Sequence, residues 1–314
     1  MGYYQRMDLA WNPSDPEEWD DFHRRHHGAL QQSWAYGEAL NTLGVHVHRV
    51  LFRAEGQLMG IAQLGARRWL GYVYLASCTR GPVWGDAVHG AARRHFYRQI
   101  KRTLPANPWR VVLFSPDSTA TEMVEPEGAG MSRVMTGYAT ASLDLRQSLP
   151  ELRAQMASKW RNRLHKAESD PSLHVFVQPS LRQCEKLLGN EESQRRERGF
   201  HGLPVGFVRA YIQAHAQPER AYVVAWAHQK QETTASMLVL LHGSTATYHM
   251  GWANDMGRKS NAHNLLLWRL IEHLKAQGVE KFDLGGINTS DLPGITRFKL
   301  GSGAVPHMLA GTYF

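Results

Sequence analysis

Residues 222–242 read YVVAWAHQKQETTASMLVLLH, which is two apolar runs joined by a short polar stretch. Runs of this length, rich in β-branched and aromatic residues, predict a strand at residues 222–227 and a returning strand at residues 234–242. A further apolar run at residues 245–251 predicts a third strand. These three runs therefore predict an antiparallel sheet, which the following residues extend.

A helix is predicted over residues 264–277, where leucine and isoleucine recur at three- and four-residue spacing on one face. Gly278 follows the last periodic residue, as a helix-ending glycine does. Residues 281–284 then predict a buried strand that ends at Gly285 and Gly286. The whole segment has the order strand, strand, strand, helix, strand, which is one α/β unit.

The first half of the chain repeats this order, with strands predicted at residues 48–54, 58–67, 72–75 and 111–114 and a helix at residues 91–104. Ahead of them, Asp15 and Pro16 predict the start of another helix, because aspartate caps helices and proline suits the first position. The repetition predicts an α/β protein of two tandem lobes with mixed central sheets, at residues 1–148 and 149–314. A helical connector at residues 149–168 opens the second lobe. The alternative is that both halves share only the ordinary alternation of strands and helices.

The composition is that of a globular protein, since 43% of the 314 residues are hydrophobic and 20% are charged. The longest apolar runs are much shorter than the roughly 20 residues of a membrane span. The first ten residues have no apolar core of a signal peptide, and Cys78 and Cys184 are the only cysteines. A cytoplasmic protein without a disulfide framework is therefore expected.

The net charge of +8 favours polyanionic partners, which include nucleic acid, phosphorylated substrates and anionic lipid. The alternative is a basic surface with no such partner. Three histidines near the start, His23, His26 and His27, have no matching carboxylate or cysteine pattern. Solvated side chains are expected there, and no metal is expected.

Six short stretches carry a resemblance to a known family. They are Gln32-Ser33-Trp34-Ala35-Tyr36-Gly37, Arg80-Gly81-Pro82-Val83, Trp160 to Ala167, Arg198-Gly199-Phe200, Phe282-Asp283-Leu284-Gly285-Gly286, and Phe298-Lys299-Leu300-Gly301-Ser302-Gly303. In this order, over about residues 31–303, they resemble the Fem (FemABX) family of non-ribosomal peptidyltransferases. The resemblance implies two lobes of the GNAT acyltransferase fold, which agrees with the repeat found independently.

The resemblance also implies a reaction. Family members take an aminoacyl group from a charged tRNA and attach it to an amine, on a peptidoglycan precursor or on another metabolite or peptide. The implied partners are tRNA and an amine-bearing acceptor, with a peripheral contact to an anionic lipid-linked substrate as a further expectation. Aminoacyl-tRNA is then a co-substrate, and no cofactor is needed.

Lys299 and Tyr248 are the implied catalytic residues, because family residues at these positions contact substrate near the reaction centre. A lysine is a point charge that suits a phosphate or a developing oxyanion. Arg297 should share a face with Lys299 if the stretch is extended. The alternatives are a surface lysine on a strand and, for Tyr248, a half-buried strand aromatic.

Substrate binding is implied for Arg198, Arg297, Asp283 and Trp34. An arginine fork at Arg198 suits a diphosphate or a carboxylate. Gly202 stands where some relatives have a substrate-contacting tyrosine, which weakens the case for the usual peptidoglycan nucleotide as acceptor. The alternative to a role in substrate binding is that Asp283 merely ends a strand.

A basic patch is the candidate site for tRNA or another polyanion, and it consists of Arg161, Arg163, Lys166 and Arg258. In the connector, Lys159, Arg163 and Lys166 lie at three- and four-residue spacing, so these three residues share one face of a helix. The alternative is a solvated helix face.

Two other functions remain open. A GNAT enzyme that uses acyl-CoA would bind pyrophosphate on the loop at residues 257–263, but Asn261 stands where glycine would allow close approach. A non-catalytic protein that binds RNA or a partner is the other alternative. A covalent mechanism is not expected, since neither cysteine has the context of a nucleophile.

Overall fold

The computed structural model describes residues 7–69, 72–105, 109–119, 125–198, 204–287 and 293–314, leaving aside the side chains of residue 69 and residues 194–198. The helices in these ranges are α1 (Pro16–Arg25), α2 (Trp34–Thr42), α3 (Ala91–Thr103), α4 (Glu125–Gly128), α5 (Leu149–Gln155), α6 (Ser158–Glu168), α7 (Leu181–Arg198), α8 (Val205–Gln213), α9 (Asp255–Lys259), α10 (Ala262–Ala276) and α11 (Pro293–Gly301). The strands are β1 (Met7–Trp11), β2 (His46–Ala54), β3 (Gln57–Trp69), β4 (Val73–Thr79), β5 (Val83–Trp84), β6 (Arg110–Ser115), β7 (Arg133–Met135), β8 (Ala139–Asp144), β9 (His174–Gln178), β10 (Tyr222–Gln229), β11 (Glu232–His242), β12 (Thr245–Ala253), β13 (Lys281–Ile287), β14 (Val305–Met308) and β15 (Thr312–Tyr313). Among the described helices, none combines the length and the hydropathy that crossing a membrane requires.

The chain forms two compact units. Unit 1 consists of Met1–Tyr138 and Met308–Phe314, and unit 2 consists of Ala139–His307. The division therefore lies before Ala139 rather than between residues 148 and 149, and the last residues return to unit 1. The pairing of short strands explains both differences, because β8 pairs with β13 in unit 2 and β15 pairs with β6 in unit 1.

The two sheets repeat one pairing pattern. In unit 1 the sheet order is β1-β2-β3-β4-β6-β15-β7, and in unit 2 it is β14-β8-β13-β12-β11-β10-β9. In each sheet three antiparallel pairs are followed by a parallel pair, which is β4–β6 in unit 1 and β12–β13 in unit 2. The predicted α/β duplication with mixed sheets is therefore confirmed.

The turns of the first hairpin in each unit show the same repetition. Glu55 and Gly56 join β2 to β3 with φ angles of 51° and 80°, and Lys230 and Gln231 join β10 to β11 with φ angles of 51° and 64°. Two successive residues with positive φ form the type of two-residue turn whose twist matches that of the flanking strands. Both hairpins are thus fixed in register by equivalent turns.

The core of unit 2 is built against α10, whose apolar residues are almost all buried. The connector predicted at residues 149–168 is two helices, α5 and α6, rather than one. The break lies at Met156 and Ala157, which are extended, with ψ angles of 140° and 143°. Extended backbone at this point turns the Met156 side chain into the core, where it is 3% exposed.

Unit 1 buries one of the histidines that were expected to be solvated. His23 of α1 is 1% exposed, and its Nε2 lies 2.9 Å from the carbonyl oxygen of Ala29. The ring packs against Gly28, where a Cβ would lie only 2.3 Å from it. Burial lowers the pKa of His23 to about 4, although the bond to Ala29 acts in the opposite direction.

We expect unit 1 to lose stability as the pH falls from about 6.5 to about 4. In this window the unfolded chain binds a proton at His23 that the folded chain excludes, so the free energy of unfolding falls with falling pH. Urea denaturation at pH 7 and pH 5 measures the change. In His23→Gln, which keeps an N–H donor for Ala29 but does not titrate, the pH dependence should be smaller. An equal pH dependence in both proteins would contradict the assignment.

Candidate active site

The parallel pair β12–β13 in unit 2 opens after three residue pairs. Thr245, Ala246 and Thr247 pair with residues 281–283, and beyond them the described ladder between these two strands ends. On its other side β12 bulges against β11, because Val239 pairs with Tyr248 and Leu238 pairs with Met250. The bulge leaves His249 as the extra residue. The two strands therefore diverge from Tyr248 and Leu284 onward.

A turn in β13 lies at this opening. The register between β13 and β8 shifts between Asp283 and Gly286, and Gly285 has a φ of 75°, which favours glycine. The carboxylate of Asp283 accepts the N–H of Gly285 at 2.7 Å and the hydroxyl of Thr140 at 3.1 Å. Asp283 thus fixes the turn from within, being 3% exposed.

Lys299 reaches both strands at this opening. Its Nζ donates to the carbonyl oxygen of Gly286 at 2.8 Å, and the same atom lies 5.6 Å from the ring centroid of Tyr248. The residue is 7% exposed, so its charge is largely removed from water. Three residues that were predicted for the site, namely Lys299, Tyr248 and Asp283, are therefore brought together.

The structure places Lys299 on a helix, α11, rather than on a strand. Two residues on a helix are about 200° apart, so Arg297 does not share the face of Lys299, and that expectation was wrong. Arg297 is exposed, whereas Lys299 is buried. A direct role for Arg297 at Lys299 has no support in this geometry, and its assignment to substrate binding stays a prediction.

Helix α11 is held against α6. The indole N–H of Trp160 donates to the carbonyl oxygen of Phe298 at 3.0 Å, and their rings lie 6.0 Å apart. Gly301 packs so closely on Trp160 that a Cβ would lie 2.8 Å from the indole. The hydroxyl of Ser302 donates to the carbonyl oxygen of Lys299 at 2.6 Å. These contacts orient the lysine, and they join two of the stretches quoted above, those around Trp160 and Phe298.

Burial shifts the pKa of both polar side chains at the opening. It lowers the pKa of Lys299 to about 8, although the nearby carboxylate of Asp283 acts to raise it. It raises the pKa of the Tyr248 phenol to about 12. The Tyr248 hydroxyl lies against Gly251, where a Cβ would be 2.3 Å from the oxygen. At neutral pH the site therefore offers an ammonium group that can release its proton and a phenol that retains its own.

The basic residues of the predicted patch lie on two helices of unit 2. Arg163 and Lys166 of α6 are exposed, whereas Arg161 is half-buried and donates to the carbonyl oxygen of Ala154 at 3.0 Å. Arg258 of α9 pairs with Asp255 at 2.6 Å. Arg163 and Lys166 are thus the members with the greatest access to a polyanion. Binding by any of the four stays a prediction.

Two other residues predicted to bind substrate belong to other elements of the fold. Trp34 belongs to unit 1, where the guanidinium of Arg49 lies 3.7 Å from its ring centroid and Trp19 packs edge-on at 6.1 Å. Arg198 is the last residue of α7, and its side chain is outside the described residues, as is Gly202. The role in substrate binding remains a prediction for both Trp34 and Arg198.

Several residues of the site were not predicted from the sequence. Thr140 was missed because no strand was predicted at residues 139–144, within the first lobe, although the alternation in residues 139–143 is typical of a strand. The acceptor of the Lys299 bond is a backbone carbonyl, that of Gly286, which no side-chain pattern reveals. His263 was also missed. It packs 6.1 Å from Phe298 and makes a 3.1 Å bond to the carbonyl oxygen of Trp252.

Known proteins share this arrangement of strands and helices. The sequence profile of a family described as an acetyltransferase (GNAT) domain matches residues 144–300. No curated protein matches the chain in sequence. In a solved structure of FemX, the fold agrees with a TM-score of 0.83 at 13% identity, over 97% of this chain and 96% of that one.

Two further solved structures have a similar fold. The C-terminal domain of a putative lysylphosphatidylglycerol synthetase from Agrobacterium fabrum matches with a TM-score of 0.58 at 17% identity, over 95% of this chain and 90% of that one. A tandem GNAT protein from the clavulanic acid biosynthesis pathway matches with a TM-score of 0.55 at 11% identity, over 98% of both chains. The fold implied by the Fem resemblance, two GNAT-like lobes in tandem, is confirmed.

Proposed function

Because the chain belongs to the GNAT acetyltransferase domain family, we propose that it is an acyltransferase that moves an aminoacyl group from aminoacyl-tRNA to an amine. The product is an amide. The observation that carries the proposal is the buried ammonium group of Lys299 at the divergence of β12 and β13, held by the carbonyl of Gly286. The similarity in fold to FemX and to a putative lysylphosphatidylglycerol synthetase supports an aminoacyl donor.

In the proposed reaction, a neutral amine attacks the carbonyl carbon of the aminoacyl ester, and a C–N bond forms. The carbonyl oxygen becomes an oxyanion in the tetrahedral intermediate, and the Lys299 ammonium stabilises it. An ammonium group has three N–H donors, of which Gly286 takes one, so the others can face the reacting oxygens. The intermediate then collapses as the C–O bond to the tRNA hydroxyl breaks.

Proton transfer completes the step. The leaving alkoxide needs a proton, and the nitrogen that attacked must lose one. With a pKa of about 8, about nine-tenths of the Lys299 side chains carry the proton at pH 7, yet giving it up is not costly. Lys299 can therefore donate a proton to the leaving oxygen. It then takes a proton from the positively charged nitrogen of the tetrahedral intermediate, which is the nitrogen of the attacking amine. The phenol of Tyr248 keeps its proton throughout and serves to position the lysine.

Partners follow from the proposed donor. The exposed side chains of Arg163 and Lys166 on α6 are the proposed contact with the tRNA backbone, together with Arg161 and Arg258. The acceptor is an amine on a peptidoglycan precursor, a peptide or a small metabolite, and a peripheral contact with an anionic lipid-linked substrate belongs to the same proposal. We place the reaction in the cytoplasm, where charged tRNA is made.

Acyl-CoA is the second candidate donor, and one observation favours it. Asn261, at the start of α10, has a φ of 56°, the left-handed conformation that glycine would adopt at this position. The loop thus keeps the backbone conformation of a glycine-containing turn, although a side chain occupies it. The family description, an acetyltransferase domain, agrees with this donor as well.

One experiment separates the donors. The purified protein is incubated with a mixture of tRNAs charged with labelled amino acids, and separately with labelled acyl-CoAs, with and without a pool of amines. We expect amine-dependent release of label from tRNA and none from acyl-CoA. Release from acyl-CoA alone would replace the first donor by the second. Binding of tRNA with no transfer of label would support the non-catalytic alternative.

A further inference from the structure

A cavity of about 770 Å³ lies on the sheet of unit 1, far along the chain from the residues proposed for acyl transfer. Its lining residues come from the end of α2, from β2, β3 and β4, and from the segment after α3: Leu43, Gly44, His46, Ala66, Arg67, Arg68, Tyr74 and Pro105. This volume is within the range of small-molecule pockets. The cavity is at the start of the parallel pair β4–β6, whereas the opening in unit 2 is at the far end of the equivalent pair.

Strand register places four of these residues on one face. His46 pairs with Ala66, and Arg68 pairs with Tyr74, so that the four lie in two adjacent rows. The small side chain of Ala66 leaves the space between His46 and Arg68 open. The result is a concave surface lined by an arginine, an imidazole and a phenol.

The two arginines of the cavity have no acidic partner within the described part of the chain. Arg67 and Arg68 are both exposed, and neither makes a described hydrogen bond or ion pair through its guanidinium. Many other arginines of unit 1, such as Arg49, Arg53 and Arg80, are paired with carboxylates. Consecutive side chains of a strand point to opposite faces of the sheet, so Arg68, and not Arg67, shares the face of His46 and Tyr74. An unpaired guanidinium group in a concave surface favours an anionic ligand.

The buried side chain of His48, beneath the cavity, determines whether the hydroxyl group of Tyr74 can donate its proton to a ligand. The Nε2 of His48 lies 2.9 Å from the hydroxyl of Tyr74, and its Nδ1 is buried without a partner in the described residues. An unpaired buried N–H is rarer than an unused acceptor, so Nε2 carries the proton and donates to the Tyr74 oxygen. The hydroxyl proton of Tyr74 is then free to donate to a ligand. Burial raises the pKa of Tyr74, although Arg68 acts to lower it, so the phenol keeps that proton.

The nearby end of α3 does not oppose an anion. The carbonyl oxygens of Lys101, Arg102 and Leu104 at this end would carry the negative end of the helix dipole. The guanidinium of Arg110 donates to all three, at distances between 2.5 and 3.1 Å. The carbonyl groups are therefore already neutralised by a cation of the same unit.

We propose that unit 1 binds a small phosphorylated ligand in this cavity, with Arg68 on the phosphate oxygens and Tyr74 and His46 as additional donors. The ligand is a phosphate ester or diphosphate, either of a nucleotide or of another small metabolite. This binding is independent of the acyl transfer proposed for unit 2, so either proposal can fail without the other.

Isothermal titration calorimetry of the full chain with inorganic pyrophosphate, and separately with ADP, tests the proposal. We expect both to bind, and tighter binding of ADP would assign the ligand to nucleotides. Arg68→Gln should weaken binding by about tenfold or more, since a hydrogen bond to a charged group is lost. The double variant His46→Gln/Arg68→Gln should abolish binding. Because both side chains are exposed, circular dichroism should show an unchanged fold.

The matched control is Arg24→Gln, which removes one exposed positive charge from α1 of the same unit. Its affinity for pyrophosphate should equal that of the unaltered protein. The ring resonances of His46 should shift on titration with pyrophosphate, which reports the site directly. Absence of pyrophosphate binding, an unchanged affinity in the double variant, an equal loss in the control, or binding of a short RNA but not of pyrophosphate would each overturn the proposal.

Discussion

Lys299→Ala is expected to lower kcat/KM for acyl transfer by about 10²- to 10³-fold, with most of the loss in kcat. The reason is that the ammonium group interacts with charge that exists only in the transition state and the intermediate. Neither Gly286 nor Tyr248 can replace it, since a carbonyl is an acceptor and a phenol with a pKa of about 12 is a weak acid. Steady-state kinetics with the donor identified above measures the effect. Full retention of kcat/KM would remove Lys299 from the mechanism.

Lys299→Arg tests the proton transfer separately from the charge. The unaltered enzyme should lose activity as the pH rises through about 8, because the ammonium form of Lys299 is lost there. Arginine stays protonated at all these pH values, so the variant should lack this decline while remaining slower overall. At lower pH the rate should increase with pH in both the unaltered enzyme and the variant, because the acceptor amine must lose its proton before it can attack. A decline near pH 8 that survives in the variant would assign it to another group.

Lys299→Met separates a catalytic role from a structural one. Its side chain fills similar space, so the free energy of unfolding at pH 7 should fall by no more than about 1 kcal/mol, the typical worth of the lost hydrogen bond. Burial of the ammonium group lowers the free energy of unfolding below pH 8. Between about pH 8 and 10.5 the folded chain has lost this proton while the unfolded chain still binds it, so the free energy of unfolding rises with pH. The unaltered protein should therefore gain stability relative to the methionine variant across this range.

Gln32→Leu is expected to destabilise unit 1 by roughly 3–5 kcal/mol. The Gln32 side chain is fully buried, and its Nε2 donates to the carbonyl oxygens of Gln63 and Thr79 at 3.2 and 2.9 Å. Its Oε1 accepts the N–H of Gln63 at 2.8 Å. Leucine would leave these three backbone groups buried without partners. Urea denaturation, with amide hydrogen exchange to follow β3, measures the loss.

The control for this variant is Gln57→Leu, at the exposed start of β3, which should change the free energy of unfolding by less than about 0.5 kcal/mol. A similarly small change in Gln32→Leu would show that water reaches the three backbone groups. The prediction also assigns the glutamine of the Gln32-Ser33-Trp34 stretch a structural role, since it joins the segment before α2 to two strands.

The sequence was sufficient to predict elements whose pattern is local and strong. The periodicity of α10 and the apolar runs of β10 to β12 predicted the second unit, and the repeat predicted the first. The resemblance then brought Lys299, Tyr248 and Asp283 into one site from positions about 50 residues apart in the chain. Their proximity depends on the divergence of two strands, which periodicity alone does not reveal.

Features that depend on tertiary contacts were missed. Helix α11 contains glycine, isoleucine and threonine, which are weaker helix formers, and it is held by Trp160 and Ser302 rather than by its own propensity. The strands β8 and β15 are short, and their partners are distant in sequence. His23 was expected to be solvated. Its burial could not be predicted, because it depends on the close approach of Gly28 to the ring. For α11, β8 and β15 the missing information was a contact between distant segments, and for His23 it was the turn that follows α1.

The return of β15 to unit 1 has a consequence for synthesis on the ribosome. The sheet of unit 1 lacks one strand until residues 312–313 have been made, although its other strands emerge before unit 2 begins. At ordinary translation speeds the interval is on the order of ten seconds. During this time β6 and β7 have edges without their final neighbour, which is where a nascent chain is most open to pairing with the wrong strand. Chaperones that cover exposed strands would therefore act on the first half of this protein, while the second half is still being translated.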